Sequence, residues 1–189
     1  GSMESIAISL NDLAEVLRRL FHAERTLESL DSLLEVIGSN SRDAVIAEAL
    51  AMIERSPRFD DRDARFLLEC GRTREAAELV IARRKELEGG MWQVLAPLAR
   101  SLGKLPGAAL ATTVAYRALL DSILERAQTA TYGHGARYWQ TLSDLAQKVA
   151  DWRDAPPHDA WARGVEERNR RKTSFWKRVE EEANRPRRH

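Results

Sequence analysis

Residues 63–87 read DARFLLECGRTREAAELVIARRKEL. Apolar residues recur every three or four positions on both sides of Gly71, which is the spacing of an amphipathic helix. A glycine between two such segments is typical of a helix end, because it takes left-handed backbone angles without steric conflict. The stretch therefore predicts a hairpin of two helices with a tight turn at Gly71.

The turn glycine has counterparts on both sides. Gly38 lies 33 residues before Gly71, and Gly103 lies 32 residues after it. An alanine follows each glycine at the same offset of six residues: Ala44, Ala77 and Ala109. A period of this size is typical of helical-hairpin arrays. We therefore predict an all-α fold of antiparallel helical hairpins, stacked as a short α-solenoid and ended by C-terminal capping helices.

The N-terminal segment leaves two arrangements open. An apolar stripe runs from Leu10 to Ile37 and is interrupted at Glu24. A single helix over this range would project and favour a homodimer through this segment. Two helices would instead meet in a turn with Thr26 as the new N-cap, and the short connections of hairpin stacks favour this second arrangement. In both cases we expect the first helix to begin at Leu10, capped by Ser9.

Glycines and prolines bound the other predicted helices, which cover residues 44–55, 91–102, 106–129, 136–152, 159–170 and 173–183. Pro97 is expected to kink its helix or delay its start, and residues 131–135 are expected to form a break. No segment shows the period of two that is typical of a strand. We interpret residues 1–2 as a cloning scar, residues 3–183 as one helical-repeat domain and residues 184–189 as a basic disordered tail.

The composition excludes several classes of protein. Apolar residues make up 43% of the chain, charged residues 31%, and the formal net charge is +1, so the whole molecule does not attract nucleic acid by its charge. No apolar run approaches the roughly 18 residues of a membrane span, and a single cysteine, Cys70, excludes an internal disulfide. We expect a bacterial-type cytoplasmic protein, and a C-terminal fragment of a longer protein is one interpretation of the chain.

Residues that could carry catalysis do not form a recognisable set. The four histidines are never three or four positions apart, the spacing that places two metal-binding rings on one helix face. Cys70 precedes the turn glycine, where a small apolar side chain is expected in the core, and no base accompanies it in the sequence. We therefore predict no enzyme activity, no metal and no cofactor.

Two groups of cations are candidate binding residues. The hairpin register would place five of them along one groove that suits an acidic peptide or a terminal carboxylate: Arg42, Arg65, Arg72, Arg100 and Lys104. The second candidate is an anion site at a helix N-terminus next to Gly133 and Gly135, formed by His134 and Arg137. Both groups could also be solvated surface residues.

Two family resemblances accompany these patterns. The segments Leu67-x-x-Cys70-Gly71-x-x-Arg74 and Ala99-x-x-Leu102-Gly103-x-x-Pro106 resemble the Trp-x-x-Leu-Gly-x-x-Tyr pattern of tetratricopeptide repeats, without its large aromatic residue. The C-terminal segment from Arg171 to Trp176 resembles the R-K-x-x-F-W ending of a bacterial helical-repeat family of unknown function, and is similar to endings in some SWIM zinc-finger proteins. The segments 116–121 and 137–138 resemble the same family. A histidine is expected before the R-K pair, where this chain has Asn169.

The C-terminal segment has two interpretations. Its cations and aromatic residues would suit phosphate contact and base stacking on a nucleic acid: Arg170, Arg171, Lys172, Phe175 and Trp176. The same aromatic residues could instead pack onto the last hairpin as a structural cap. We predict a non-catalytic module that binds a protein partner of unknown identity, with a nucleic-acid-associated module as the alternative.

Overall fold

The computed structural model of the chain describes residues 2–186, apart from the side chains of residue 2 and residues 5–8. Within that range the chain forms ten α-helices, three short 3-10 turns and no strand, which confirms the all-α class. The helices are α1 (Ser2–Glu24), α2 (Leu27–Ile37), α3 (Arg42–Arg55), α4 (Asp61–Glu69), α5 (Thr73–Ala82), α6 (Trp92–Gly103), α7 (Ala109–Arg126), α8 (Tyr132–Ala146), α9 (His158–Arg168) and α10 (Thr173–Ala183). The α-solenoid arrangement stays a prediction.

The chain divides into two compact units, a first unit up to Ala76 and a second unit from Ala77 onward. Each is described by itself below, and the predicted single domain over residues 3–183 stays a prediction. Position 1 of the predicted scar and positions 187–189 of the predicted tail lie outside the described residues. The described part of the predicted tail begins at Asn184, whose backbone N–H donates to the Glu180 carbonyl at the end of α10.

The first unit begins with two helices joined by a turn at Arg25. Thr26 caps α2, because its hydroxyl accepts from the Ser29 N–H at 3.1 Å and the Ser29 hydroxyl accepts from the Thr26 N–H at 3.1 Å. The two-helix arrangement is therefore correct. The predicted start at Leu10 is wrong, since α1 already begins at Ser2: residues 2–9 contain no glycine or proline, and a serine inside such a segment does not stop a helix.

The first unit has a core of aliphatic and phenylalanine side chains. Phe21 and Phe66 are fully buried and meet edge to face with their ring centroids 5.6 Å apart. Asp63, in the first turn of α4, is also buried. Its carboxylate accepts from Arg25 Nε at 2.6 Å and Nη2 at 3.1 Å, so this ion pair connects the α1–α2 turn to α4.

The glycine turns agree with the prediction at two positions and agree with it in part at the third. Gly38 and Gly71 end α2 and α4 with φ of +101° and +81°. Gly103 is the last residue of α6, as predicted, but the positive φ of that connection, +78°, belongs to Gly107. The helix end at Gly103 is therefore correct, the turn follows over residues 104–107, and the regular repeat stays a prediction.

The second unit is built around α7, which packs against α6 and α8, while α10 packs on α8. The predicted break at residues 131–135 is wrong: Ala127, with φ of +49°, ends α7, and α8 begins at Tyr132. The helix predicted from Pro106 begins at Ala109, the helix predicted to reach Trp152 ends at Ala146, and Pro97 lies inside α6. The predicted bounds of α10 are correct.

Candidate functional site

The C-terminal motif separates its aromatic residues from its cations. Phe175 is fully buried, and its ring meets Tyr132 edge to face at 5.4 Å. Trp176 packs against Trp139 with centroids 5.1 Å apart. Arg170 and Arg171 are exposed. The aromatic pair therefore belongs to the core of the second unit, as the cap interpretation expects, and only the cations lie at the surface.

Asn169, which stands where a histidine was expected, fixes the turn between α9 and α10. Its Nδ2 donates to the Val165 carbonyl at 2.8 Å, and its Oδ1 accepts from Lys172 Nζ at 2.7 Å. Its backbone carbonyl accepts from the Trp176 indole N–H at 2.8 Å. Lys172 thus has a structural partner within the motif.

The first three predicted groove cations lie in the first unit. Arg65 pairs with Glu69 at 2.9 Å, and Arg72 lies 3.5 Å from Asp43. Arg42 lies at the start of α3. Two of these three cations therefore have carboxylate partners in their own unit.

The predicted anion site lies in the first turns of α8. His134 Nδ1 and Arg137 Nη2 are 2.7 Å apart, and since a guanidinium can only donate, the ring nitrogen is the acceptor of this hydrogen bond. Gly135 packs against Phe175, and a Cβ at this position would lie 3.0 Å from its ring. The glycines of this segment thus allow α10 to approach α8 closely.

Two of the predicted residues, Arg100 and His134, line the same cavity of the second unit, a groove of about 520 Å³ between α6, α7 and α8 that we call the α6–α8 groove. Its apolar wall consists of Trp92, Ala96, Pro97, Leu119, Ile123 and Tyr138. Trp92 is 58% exposed. Burial raises the pKa of Tyr138, while the nearby Arg100 acts in the opposite direction.

The charged groups on the α6–α8 groove all have one sign. Arg100 and Arg126 are the charged residues that line it, and no Asp or Glu is among the described residues of its wall. Lys104, the last predicted groove cation, is exposed just beyond the end of α6 and does not line this cavity. The groove therefore combines an exposed indole, an apolar wall and a positive potential.

A second cavity, of about 610 Å³, lies on the other side of Gly89 and Gly90, and we call it the Arg117 pocket. These two glycines line both cavities. Gly89 lies so close to α7 that a Cβ would overlap the Ala118 carbonyl. The sequence Gly89-Gly90 thus allows this strip of backbone to lie against α7 as a common wall.

Arg117 occupies the floor of this pocket and is only 6% exposed. Its guanidinium stacks on two indoles, 5.1 Å from the Trp152 centroid and 4.9 Å from that of Trp161. Its Nη1 donates to the Pro156 carbonyl at 2.7 Å. Its Nε and Nη2 are buried and have no hydrogen-bond partner among the described residues.

The loop between α8 and α9 supplies two of these contacts, from Trp152 and Pro156. Ion pairs hold this loop in place: Arg84 Nη2 lies 3.2 Å from Asp154 Oδ2, and Arg153 Nη1 lies 2.7 Å from Glu78 Oε2. Both pairs join the loop to residues that precede α6. The stacking partners of Arg117 are therefore positioned by contacts distant in sequence.

Burial shifts the ionisation of the groups around the Arg117 pocket. It lowers the pKa of Arg117 to about 10, and it raises the pKa of Asp121, one helical turn further along α7, to about 6. Burial and the charge of Arg117 together lower the pKa of His158. Each shift disfavours the charged form of a group that has lost contact with water.

The sequence prediction did not identify this pocket. In the sequence, Arg117 and Asp121 stand out only as part of a segment with a family resemblance. Their spacing of four positions, which places both on one helix face, was the signal that could have pointed to a site. The two tryptophans that enclose the guanidinium lie 35 and 44 positions away. No periodicity connects residues at such separations.

The remaining candidates for chemistry stay without a site. No group of three or more His, Cys, Asp or Glu side chains that could hold a metal occurs in the described part of the chain. Cys70 is buried, and burial raises the pKa of its thiol to about 11, which disfavours the reactive thiolate. None of the described helices is both long enough and apolar enough to cross a bilayer.

Comparison with known proteins gives one match. The pattern of a family of unknown function (DUF6880) matches residues 41–178. This range contains the α6–α8 groove, the Arg117 pocket and the R-K-x-x-F-W segment. No curated protein and no solved structure matches the chain.

Proposed function

This chain belongs to the family of unknown function DUF6880, and we propose that it is a non-catalytic module that binds a protein partner through the α6–α8 groove. The occupant that we propose is an acidic segment of the partner that also carries large apolar side chains. The observation that carries the proposal is the combination of an apolar wall with charged groups of a single sign.

The charge of the groove favours an acidic occupant. Arg100 and Arg126 provide planar guanidinium groups, which bind carboxylates through two parallel hydrogen bonds. Because no carboxylate lines the described wall, an acidic segment would meet attraction and a basic one repulsion. Such complementarity contributes mainly to association rate and specificity.

The apolar wall supplies the other half of the recognition. Trp92 is the most exposed large apolar side chain of the second unit, and exposed tryptophans are enriched among residues that dominate binding energy. Pro97 and Ile123 extend the apolar surface beside it. An apolar side chain of the partner would therefore bury surface here while its neighbouring carboxylates meet the two arginines.

Selection from a display library of short random peptides tests this proposal, with the whole chain as the target. We expect the selected peptides to combine negative charge with aromatic or aliphatic residues. Their affinity, measured by fluorescence anisotropy, should fall by about tenfold in an Arg100→Glu variant and fall further as salt is added. A Trp92→Ala variant should weaken the same peptides through the apolar wall.

Arg163→Glu is the matched control, because Arg163 is exposed on α9 and lines neither cavity. Selected peptides that are neutral or basic would overturn the proposal. So would equal losses of affinity in the Arg163→Glu and Arg100→Glu variants.

The nucleic-acid alternative is a separate outcome of the same assay. Exposed Arg170 and Arg171 are available for phosphate contacts, whereas Phe175 lies inside the core and is not available for stacking on a base. Binding of a labelled single-stranded oligonucleotide that falls steeply with salt, and that is lost on Arg170→Ala with Arg171→Ala, would favour this role over protein binding.

A further inference from the structure

The guanidinium of Arg117 has one unused edge. Two indoles cover its faces, and the Pro156 carbonyl accepts from Nη1. The remaining edge consists of Nε and Nη2, which point their N–H groups in nearly parallel directions and have no acceptor among the described residues. A carboxylate matches this edge because its two oxygens accept two parallel hydrogen bonds. Both nitrogens are closed to solvent in this structure, so a ligand reaches them only when a side chain of the pocket wall moves.

No carboxylate of the second unit occupies that position. Asp121 is the acidic residue whose charge acts on Arg117, yet no ion pair or hydrogen bond joins the two side chains in the described structure. Asp121 instead lines the pocket beside Glu125, one turn further along α7. A buried charge without a counter-ion is unfavourable, and proteins retain such groups chiefly at functional sites.

We propose that the Arg117 pocket is a binding site for a small organic carboxylate, whose oxygens accept hydrogen bonds from Nε and Nη2 of Arg117. The pocket volume, about 610 Å³, lies within the range of small-molecule sites. Val114, Met91 and Trp161 offer apolar contact to the rest of the ligand. Besides Arg117, the described wall carries three cations, Arg84, Lys85 and Arg126, and three carboxylates, Glu88, Asp121 and Glu125.

This site and the α6–α8 groove share Ser122 and Arg126 as lining residues, but the residues tested for each proposal line only one of the two cavities. Arg117 does not line the α6–α8 groove, and Arg100 and Trp92 do not line the Arg117 pocket. The variants that test peptide binding therefore leave the Arg117 edge intact. A failure of one proposal is distinguishable from a failure of the other.

The test uses benzoate and phenylacetate as probes, each beside its amide, with inorganic phosphate as a further anion. The readouts are the melting temperature and the tryptophan fluorescence of the whole chain, because Trp152 and Trp161 stack on Arg117. We expect both carboxylates to raise the melting temperature and to change the fluorescence saturably, and the amides to do neither. An equal response to phosphate and to the carboxylates, or no response to either, would overturn the proposal.

An Arg117→Met variant removes the donors and keeps much of the side-chain length. We expect its response to benzoate to weaken by at least about tenfold, whereas the matched Arg163→Met variant responds like the unmodified chain. An unchanged response in a folded Arg117→Met variant would overturn the proposal.

A second variant keeps the proposal testable if Arg117→Met does not fold. Asp121→Ala removes the carboxylate nearest to Arg117 along α7, and we expect benzoate to bind this variant at least as tightly as the unmodified chain. Binding to Asp121→Ala alone would mean that Asp121 is the internal partner of Arg117 in solution, and would overturn the proposal.

Discussion

Each of the two units buries one charged side chain among its described residues, and the two side chains differ in whether their hydrogen-bonding groups have partners. In the first unit the carboxylate of Asp63 accepts two hydrogen bonds from Arg25. In the second unit Arg117 has stacking partners and one carbonyl acceptor, and two of its nitrogens have no acceptor in the described structure. Asp63 and Arg117 are the buried charged residues among those described.

The difference separates a structural charge from a candidate binding group. The Arg25–Asp63 pair uses two charge-assisted hydrogen bonds and offers nothing to a ligand. Arg117 lines a cavity and keeps a donor edge that has no partner among the described residues and is closed to solvent, which leaves a desolvated cation. A buried polar group that the protein itself leaves unsatisfied is a reason to look for a ligand.

The aromatic residues differ between the units as well. All five tryptophans and all three tyrosines lie beyond residue 90, whereas the core of the first unit contains Phe21 and Phe66. Tryptophan fluorescence therefore reports on the second unit. Circular dichroism, which follows helix content, reports on both.

The largest expected effect is on the aromatic core of the second unit. Phe175→Ala should lower the free energy of unfolding by about 3–5 kcal/mol, because it removes a fully buried ring. Denaturant unfolding followed by tryptophan fluorescence measures the change. Arg171→Ala, an exposed neighbour, should stay within about 0.5 kcal/mol of the unmodified chain. Equal effects of the two substitutions would contradict the core position of Phe175.

The second-largest effect is expected when the buried Asp63 of the first unit loses its hydrogen-bond donor Arg25. Arg25→Ala should lower the free energy of unfolding by about 2–4 kcal/mol, because it leaves the Asp63 carboxylate buried without its partner. Circular dichroism during denaturant unfolding is the measurement. Arg65→Ala removes a solvent-exposed ion pair with Glu69 and should change stability by less than about 1 kcal/mol. A loss for Arg25→Ala no greater than this control would count against a structural role of the pair.

The third prediction concerns Asp121, the carboxyl group closest to Arg117 along α7. Burial raises its pKa from 3.8 to about 6. Arg168 and Arg117 lower this pKa in part and Glu125 raises it. Between these two values the folded state holds a proton that the unfolded state releases, so this group stabilises the fold below pH 4 and loses that contribution as the pH rises through 6. Ionised Asp121 is thus unfavourable above pH 6.

Asp121→Asn should accordingly raise the free energy of unfolding at pH 8 by about 1–2 kcal/mol, a value reduced for the partial exposure of the group. The gain should fade as the pH falls towards 4, where the folded state keeps Asp121 protonated and only the unfolded state ionises it. Unfolding followed by tryptophan fluorescence at the two pH values measures it. A gain of the same size at both would show that ionisation is not its cause.

The smallest effects compare one glycine from each unit. Gly71→Ala should lower stability by about 1 kcal/mol, because its φ of +81° is unfavourable for any side chain. Gly103→Ala should raise stability by up to about 1 kcal/mol, because its position is helical and a Cβ would make an ordinary contact with Thr112. Melting temperatures are sufficient here. A loss of equal size at both positions would support the regular repeat that the sequence predicted.

Local chemistry made much of the fold predictable. The helical class, the turn at Thr26 and the bounds of α10 follow from caps, glycines and apolar periodicity, and the structure confirms them. The failures arose where local signals compete. Gly103 has the spacing of a turn glycine and ends α6, but Gly107 provides the positive φ, because the turn takes up the four residues after Gly103.

The sequence by itself determined which segments are helical, because caps and periodicity act over a few residues. It also indicated residues that suit an anionic partner, and two of them, Arg100 and His134, line one groove. Only the tertiary structure decided that Arg25 neutralises Asp63 and that Trp152 and Trp161 enclose Arg117. Those contacts join residues 35 or more positions apart, and the packing of whole helices, rather than any local preference, brings them together.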